Sequence, residues 1–371
     1  MEVAEQIKRM IARDYGPGDV LPVYAELAER FGVGMRTVKG AVHELARRGI
    51  VTPYPRRGTI VNRSIEPGES GLGQVGLVVR CTLNRLFEAR YLSEIVSAVC
   101  TRLDDLEAGL QVFSLHRTGG PIPPARVIET GAWGVVVLGV FDNRYIAEFA
   151  AQKVPMVVLD HFASDIALDY VLCDNAGAVT AIVEHLVSLG HKRIAFAEIF
   201  SRAPFGLGPE AVDEALQEES DRIERRRAFL AAAEKLLPGR PPSVETFVED
   251  EYETSEALLD AMVGALRAGP EPATAVVAQD DHTAVRLIQH LGKVNLRVPE
   301  DISVAAIAGP DMTAAGTPPL TYCRMDFEDM GRQGINLLEL RSRSGPPDEP
   351  NVVRIGFDFI RGKTTAPPTG P

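Results

Sequence analysis

From about residue 74 to residue 363 the sequence alternates short, largely apolar runs with segments of helical spacing, and this alternation restricts the fold more than any other feature. The runs 74–79, 110–114, 134–138, 154–159, 193–198, 274–278 and 302–308 have the length of strands. Between them lie helical patterns at 91–106, 178–189, 224–237 and 282–291; the first puts Ile95, Val99, Leu103 and Leu106 on one face. A strand buried on both faces reads as a continuous apolar run, so strands of this kind alternating with helices imply parallel sheets covered on both sides. The stretch is too long for one hydrophobic core, which predicts two α/β lobes. In such sheets ligands bind off the carboxyl ends of strands. Polar residues just past those ends are therefore candidates: Asn84, His116, Asp160, Asp280 and Asp311.

The first 64 residues read differently. Residues 3–15 carry apolar side chains at 3, 7, 10 and 11, and Gly16-Pro17-Gly18-Asp19 stops that helix. A short helix at 24–31 places Leu27, Ala28 and Phe31 together, Gly32-Val33-Gly34 turns the chain, and a second helix runs over 35–48. Its apolar face holds Val38, Ala41, Val42 and Leu45; its other face holds Arg36, Thr37, Lys39, Gly40, His43 and Arg47. Two short helices joined by a glycine-bearing turn form a helix-turn-helix pattern. Residues 51–62 read as a β-hairpin with Arg56-Arg57-Gly58 at its tip. A helix fits the major groove of B-DNA and can present short polar or basic side chains to base edges, while arginines at a hairpin tip suit phosphates. A solvated charged face is the plainer reading of the helix alone; the basic hairpin directly after it favours DNA.

Charge agrees. Residues 1–64 hold eleven Lys/Arg against seven Asp/Glu, a net of +4, while the remainder, with 28 against 44, carries −16. A polyanion would meet the head and not the body. The four cysteines, Cys81, Cys100, Cys173 and Cys323, are widely spaced and form no CxxC pair, which argues against a zinc site or a disulfide framework. Neither a signal-peptide core nor an apolar run of membrane-spanning length is found, so a cytoplasmic location without membrane association is expected. Gly71-Leu72-Gly73-Gln74-Val75-Gly76 satisfies GxGxxG, but it follows a polar linker and runs into a strand. A dinucleotide site needs the reverse, a strand before and a helix after. No GxSxG, HExxH or P-loop is present, and His282 and His290 lie about 80° apart around a helix, too far to share a metal. The chain is expected to be no enzyme and to need no cofactor or metal.

The head resembles the GntR-type winged helix. Leu21-Pro22, Glu26-Leu27-Ala28, Gly32-Val33, Thr37-Val38, Leu45 to Gly49 and Gly58-Thr59 carry the resemblance, in order. It implies DNA contacts from Arg36, Thr37, Lys39, Arg56, Arg57, Gly58 and Thr59. Met35 stands where the family has Arg, Gly34 where it has Ser or a similar cap, Lys39 where it has Arg, and Val23 where it has Ser. The operator sequence is therefore not implied.

The body resembles the LacI/GalR-type sensor domain, which is similar to periplasmic sugar-binding proteins. The resemblance rests on Val171 to Asn175, Glu184 to Phe196, Thr274 to Asp280, Leu296 to Val304, Pro319-Leu320-Thr321 and Asp326-Phe327 with Gly331. The pairing of head and body is like that of the arabinose repressors. The resemblance implies a small effector, a sugar or sugar derivative, held by Asn84, Phe87, Asp160, Arg225, Asp280 and Asp311. Carboxylates accept hydroxyls, arginine offers a rigid donor fork and an aromatic face stacks on a ring. Asp280 and Asp281 have a plainer reading as helix caps, and Phe87 as core. Three departures stand near the expected ligand: Gln279 replaces Asn, Gly309-Pro310-Asp311 replaces aromatic-Asp-Asp, and residues 203–220 form an acidic insertion.

The expected organisation is α/β: a winged helix-turn-helix at 1–64, a linker at 65–73, a two-lobed periplasmic-binding-protein-like domain with parallel sheets at 74–363, and a disordered tail at 364–371. Its expected function is that of a homodimeric, effector-controlled regulator, a repressor by family analogy, on double-stranded operator DNA. A cytoplasmic solute receptor is the alternative, against which the head counts. The family's hinge helix is not expected, because Glu66-Pro67-Gly68 occupies the linker.

Overall fold

The computed structural model describes residues 2–47, 49–54, 57–62, 73–115, 121–201, 220–239, 242–249, 255–268, 271–308 and 317–369. The head consists of α1 (Glu2–Asp14), α2 (Tyr24–Phe31), α3 (Met35–Arg47) and the hairpin β1 (Val51–Tyr54) with β2 (Gly58–Val61). Apolar positions at helical spacing close its core: Ile7 and Ile11 of α1, Leu27 of α2 and Val38, Val42 and Leu45 of α3 are fully buried. Gly32 ends α2 in the left-handed region, φ +64°, where its N–H reaches the Ala28 and Glu29 carbonyls and the chain turns sharply into α3. The hairpin pairs Val51 with Val61 and Tyr54 with Gly58, and Val20 bridges to Ile60 as a third, single-residue strand.

The body alternates as its sequence pattern requires. The first sheet contains β3 (Gly73–Val79), β4 (Ala108–Ser114), β5 (Gly134–Leu138), β6 (Met156–Leu159) and β7 (Asp169–Cys173), with helices α4 (Leu83–Glu88), α5 (Arg90–Asp105), α6 (Pro124–Ile128) and α7 (Asn143–Ala150) between them. After α8 (Asn175–Ser188) the second sheet begins with β8 (Ile194–Ser201), α9 (Ser220–Leu236), β9 (Ser243–Glu249), α10 (Glu256–Leu266), β10 (Ala275–Ala278), α11 (Asp281–Lys293), β11 (Ser303–Ala308) and β12 (Thr321–Met325). The long α12 (Phe327–Ser344) returns to the first lobe, β13 (Asn351–Ile355) adds to its sheet, and β14 (Phe357–Ile360) adds to the other. The strand orders are β13-β7-β6-β5-β3-β4 and β14-β12-β11-β10-β8-β9, parallel throughout except for β14 against β12. Two parallel sheets, each covered by helices, thus meet the expectation of two α/β lobes.

The lobes exchange chain at three single-residue joints: Asp174 between β7 and α8, Asp326 between β12 and α12, and Gly356 between β13 and β14. Asp174 accepts the Gly177 N–H at 2.9 Å and Asp326 accepts the Asp329 N–H at 2.9 Å, so each aspartate caps a helix that starts at the joint itself. The joints also bond to one another, Asp174 N–H to the Ile355 carbonyl and Asp326 N–H to the Gly356 carbonyl. Against the first lobe, α12 packs on α5 and on β5, β6 and β7. Gly331 permits this, because a Cβ there would strike the Ile95 carbonyl and Ala98.

The tail departs from expectation. Residues 364–369 are ordered against the second sheet: Thr364 is fully buried, its hydroxyl accepts the Thr321 N–H at 2.8 Å and its carbonyl accepts the Val304 N–H at 2.8 Å. Ala366 exchanges bonds with Ser303, and the His191 ring lies between Thr274 and the Ala366 carbonyl. Main-chain groups at the strand ends need partners, and the tail supplies them.

Candidate nucleic-acid interface and ligand cleft

α3 has two sharply different faces. Val38, Ala41, Val42 and Leu45 face the core, while Gly34, Met35, Arg36, Thr37, Lys39, Gly40 and His43 are exposed. Its first turn carries no acidic side chain. The amino-terminal half of α3 therefore offers guanidinium, hydroxyl and ammonium groups to solvent, the types that donate to base edges and phosphates. Arg57 is exposed beside Gly58 at the hairpin tip. Gly58 holds φ +87°, and a Cβ there would lie 2.7 Å from Val20 Cγ1, so glycine fits the tip where a side chain would not. Thr59 corrects the expectation of a DNA contact. It is 4% exposed, and strand alternation turns it inward with Val61, leaving its hydroxyl no path to a phosphate. Arg56 lies outside the described residues.

In the body, three of the expected effector residues converge. Asp160 follows β6 with φ +62°, Asp280 follows β10, and Arg225 projects from α9 within electrostatic reach of both. Arg225 is 8% exposed and heavily engaged. Its Nε donates to Asn175 Oδ1 at 2.7 Å, its Nη1 to the Gln279 carbonyl at 2.9 Å, and its Nη2 lies 3.5 Å from Asp221. Burial opposes its charge, but Asp221, Asp160 and Asp280 outweigh that and hold it protonated. Arg225 thus ties α9, the start of α8 and the end of β10 together, a positioning role beside any contact with ligand. Asp280 caps α11 by accepting the Thr283 N–H at 2.8 Å, which realises the plainer of its two readings while leaving it at the cleft. Although burial raises its pKa, Arg222 and the Thr283 bonds bring it below the ordinary value. The neighbouring Asp281 is pushed up to about 6 by burial and by Asp280.

The remaining expected residues are placed less tightly. Asn84 and Phe87 sit on α4, a helix and not a loop, both exposed, Phe87 at 66%. Among the described residues neither is bonded to the Arg225 cluster. His116 and Asp311 lie outside the described residues, as do Gly309, Pro310 and nearly all of the acidic insertion.

Sequence reasoning missed the facing wall. Arg80 lies at the end of β3 with its guanidinium carbon 4.4 Å from the centre of the Phe141 ring, and His161 meets the same ring edge-on at 5.3 Å. His161 is 1% exposed, its Nε2 bonds Asn143 Oδ1 at 2.8 Å, and burial lowers its pKa to about 4 against the opposing pull of Asp221. Tyr91 of α5 feels Asp160, Arg80 and Asp221. Asp221, on α9 of the second lobe, is thus within electrostatic reach of Tyr91 and His161 of the first, which points to a cleft between the carboxyl ends of the two sheets. Opposite, Gln279 is 1% exposed, donates from Nε2 to the Ile199 carbonyl at 2.6 Å and leaves Oε1 without a partner among the described residues. Such a wall of aromatic faces, guanidinium donors and carboxylate acceptors suits a small polar molecule rich in hydroxyls. Arg80 and His161 fall just past first-sheet strands, so the rule that selected Asp160 could have found each of them, whereas Phe141, apolar and three residues past β5, lay outside it. Among the described residues no His, Cys, Asp and Glu cluster could hold a metal ion, and no helix is long and apolar enough to cross a membrane.

Comparison with known proteins gives the same division. Residues 1–61 match the family of bacterial regulatory proteins called gntR, and residues 183–365 match the periplasmic binding protein-like domain. The HTH-type transcriptional regulator MalR of Streptomyces coelicolor is 24% identical over 364 residues, covering 93% of this chain and 97% of MalR. The lac repressor dimer bound to operator and an anti-inducer superposes with a TM-score of 0.59 at 21% identity, over 79% of this chain and 94% of that one. A LacI family regulator of Weissella paramesenteroides with bound glucose gives a TM-score of 0.58 at 18% identity, over 79% and 98%. The head thus matches the gntR family, and the body carries a periplasmic binding protein-like domain with the fold of LacI family regulators.

Proposed function

We propose that this chain is a transcription regulator that binds operator DNA through α3 and the wing and answers to a sugar or sugar derivative in the cleft between its lobes. The observation that carries the reading is the exposed, acid-free start of α3, with Arg36, Thr37 and Lys39 beside a glycine-tipped basic hairpin, on a body whose two lobes face each other across a polar cleft. Arg36 and Thr37 read bases, Lys39 and Arg57 hold phosphates, and Asp160, Asp280 and Arg80 contact the ligand while Arg225 sets their positions. A lac repressor has been seen as a dimer on operator and a related regulator with glucose bound, which supports a homodimer and a carbohydrate here. Two heads related by two-fold symmetry meet two half-sites one or more helical turns apart. Ligand closes the lobes about the joints at Asp174, Asp326 and Gly356, changes the spacing of the heads and relieves repression, with a coupling of about 1–3 kcal/mol.

The test begins with the full chain and a pool of random-sequence duplexes. The enriched duplex is then titrated with protein, with and without each member of a panel of mono- and disaccharides. At least one sugar should bind and change operator affinity by about 5- to 150-fold. If no duplex is enriched, DNA binding fails; if sugars bind but leave affinity unchanged, effector control fails.

A further inference from the structure

Among the described residues nothing requires Gly40 to be a glycine. It is the sixth residue of α3, well within the helix, where only proline is less favourable. Arg36, Gly40 and His43 recur at i, i+4 and i+7, are all exposed, and lie opposite Val38, Ala41, Val42 and Leu45. Gly40 therefore occupies the middle of the outward face. Glycines are normally explained by a positive φ or by a close neighbour. Gly40 is not among the residues with positive φ, and a Cβ built on it would have no heavy atom of the described residues within 4 Å. The contrast with Gly331 and Gly334 is direct, since a Cβ at either would strike α5 or Leu159.

Resting on the DNA-binding reading, we infer that Gly40 is the point of closest approach of α3 to the floor of the major groove, and that its missing side chain is what lets Arg36 and His43 reach bases on either side of it. A helix with side chains, about 10–12 Å across, nearly fills a groove about 12 Å wide. Any side chain at the centre of the inserted face lifts the helix or displaces a base contact. The phosphate contacts of Lys39 and Arg57, at the flanks, change little. This makes His43 a base-reading residue in addition to those carried over from the family.

Stability and affinity should then move in opposite directions. With the full chain and the duplex that the wild type enriches from a random pool, Gly40→Ala should raise the melting temperature, because alanine at a compatible helical site constrains the unfolded chain. It should weaken operator binding at least tenfold, and Gly40→Leu at least a hundredfold. The slope of log K against log salt should stay parallel to that of the wild type, since no phosphate contact is lost, whereas Lys39→Ala should lower that slope by about one. Gly40→Ala binding within twofold of the wild type overturns the inference and leaves the DNA-binding reading intact. A fall in melting temperature together with affinity assigns Gly40 an internal role and also overturns it. If the wild type enriches no duplex, the DNA-binding reading falls and takes this inference with it.

Discussion

Arginines mark both the proposed DNA-facing surface and the proposed ligand cleft, and the fold treats them in opposite ways. Arg36 and Arg57 stand exposed on the head, and among the described residues their side chains have no partner. Arg225 is nearly buried, and Asn175, Gln279 and Asp221 occupy its donors. A surface that must meet a large polyanion keeps its cations unengaged, because every internal bond would have to be broken on contact. A cleft that must hold a small molecule in one orientation fixes its charges beforehand. Substitutions in the head should therefore change binding alone, whereas substitutions in the cleft should change binding and stability together.

Arg225→Ala should have the largest effect. It removes a cation from among Asp221, Asp160 and Asp280 and leaves Asn175 and the Gln279 carbonyl without donors. Removing one member of a buried charge cluster costs about 3–5 kcal/mol. Thermal unfolding and sugar titration of the full chain should both register the loss. Arg225→Lys should not restore it, since one ammonium cannot reach partners set in three directions. A variant of normal stability that merely fails to bind sugar would break the contrast between the two regions.

How far each region could be read from sequence follows from how local its determinants are. Helix α2 and strand β5 fall where periodicity expects them, because an amphipathic turn or an apolar run is written in neighbouring residues. Thr59 was legible too: counting inward from Val61 along a short strand turns its hydroxyl to the core. The grouping of Arg80, Phe141 and His161 was not legible, since it joins the ends of three strands that only the sheet order brings together. The tail, expected to be disordered, is held by strand-end groups more than forty positions away, such as the Thr321 N–H accepted by Thr364. Arg225 was found through its motif, but its partners on α8 and at the end of β10 were not.

The head offers the converse test. Arg36→Ala with Arg57→Ala should weaken operator binding at least tenfold, as loss of one base-reading arginine alone costs about 1–3 kcal/mol. The melting temperature should hardly move, because exposed substitutions away from packed features stay within about 0.5 kcal/mol. Parallel binding isotherms and thermal scans check both halves. Gly58→Ala refines the rule, because this expected DNA-contacting residue of the wing also has an internal role. Its positive φ and the closeness of Val20 predict a loss of about 1–3 kcal/mol and a weaker operator complex. Unchanged stability would show that the tip relaxes freely.

The smallest effect separates the two regions by pH. His161 in the cleft wall has its pKa lowered to about 4 by burial, with Asp221 pulling the other way and Arg80 adding to the fall. An unfolded histidine takes up its proton near pH 6.5, so between 6.5 and 4 the unfolded chain binds more protons at this site than the folded one. The stability contributed by neutral His161 is thus complete above pH 6.5 and declines as the pH falls towards 4, by at most about 1.4 kcal/mol per pH unit. Asp281 works in the opposite sense. Its pKa is raised to about 6, so its contribution strengthens as the pH falls through 6 towards the ordinary carboxylate range. The two partly cancel in the wild type, and the His161 contribution appears only by difference. Melting temperatures of wild type and His161→Gln should converge as the pH falls from 7 to 5, because glutamine has no proton to gain. A gap between them that stays constant across that range would mean that His161 titrates as it does in water, and that the cleft wall does not enclose it.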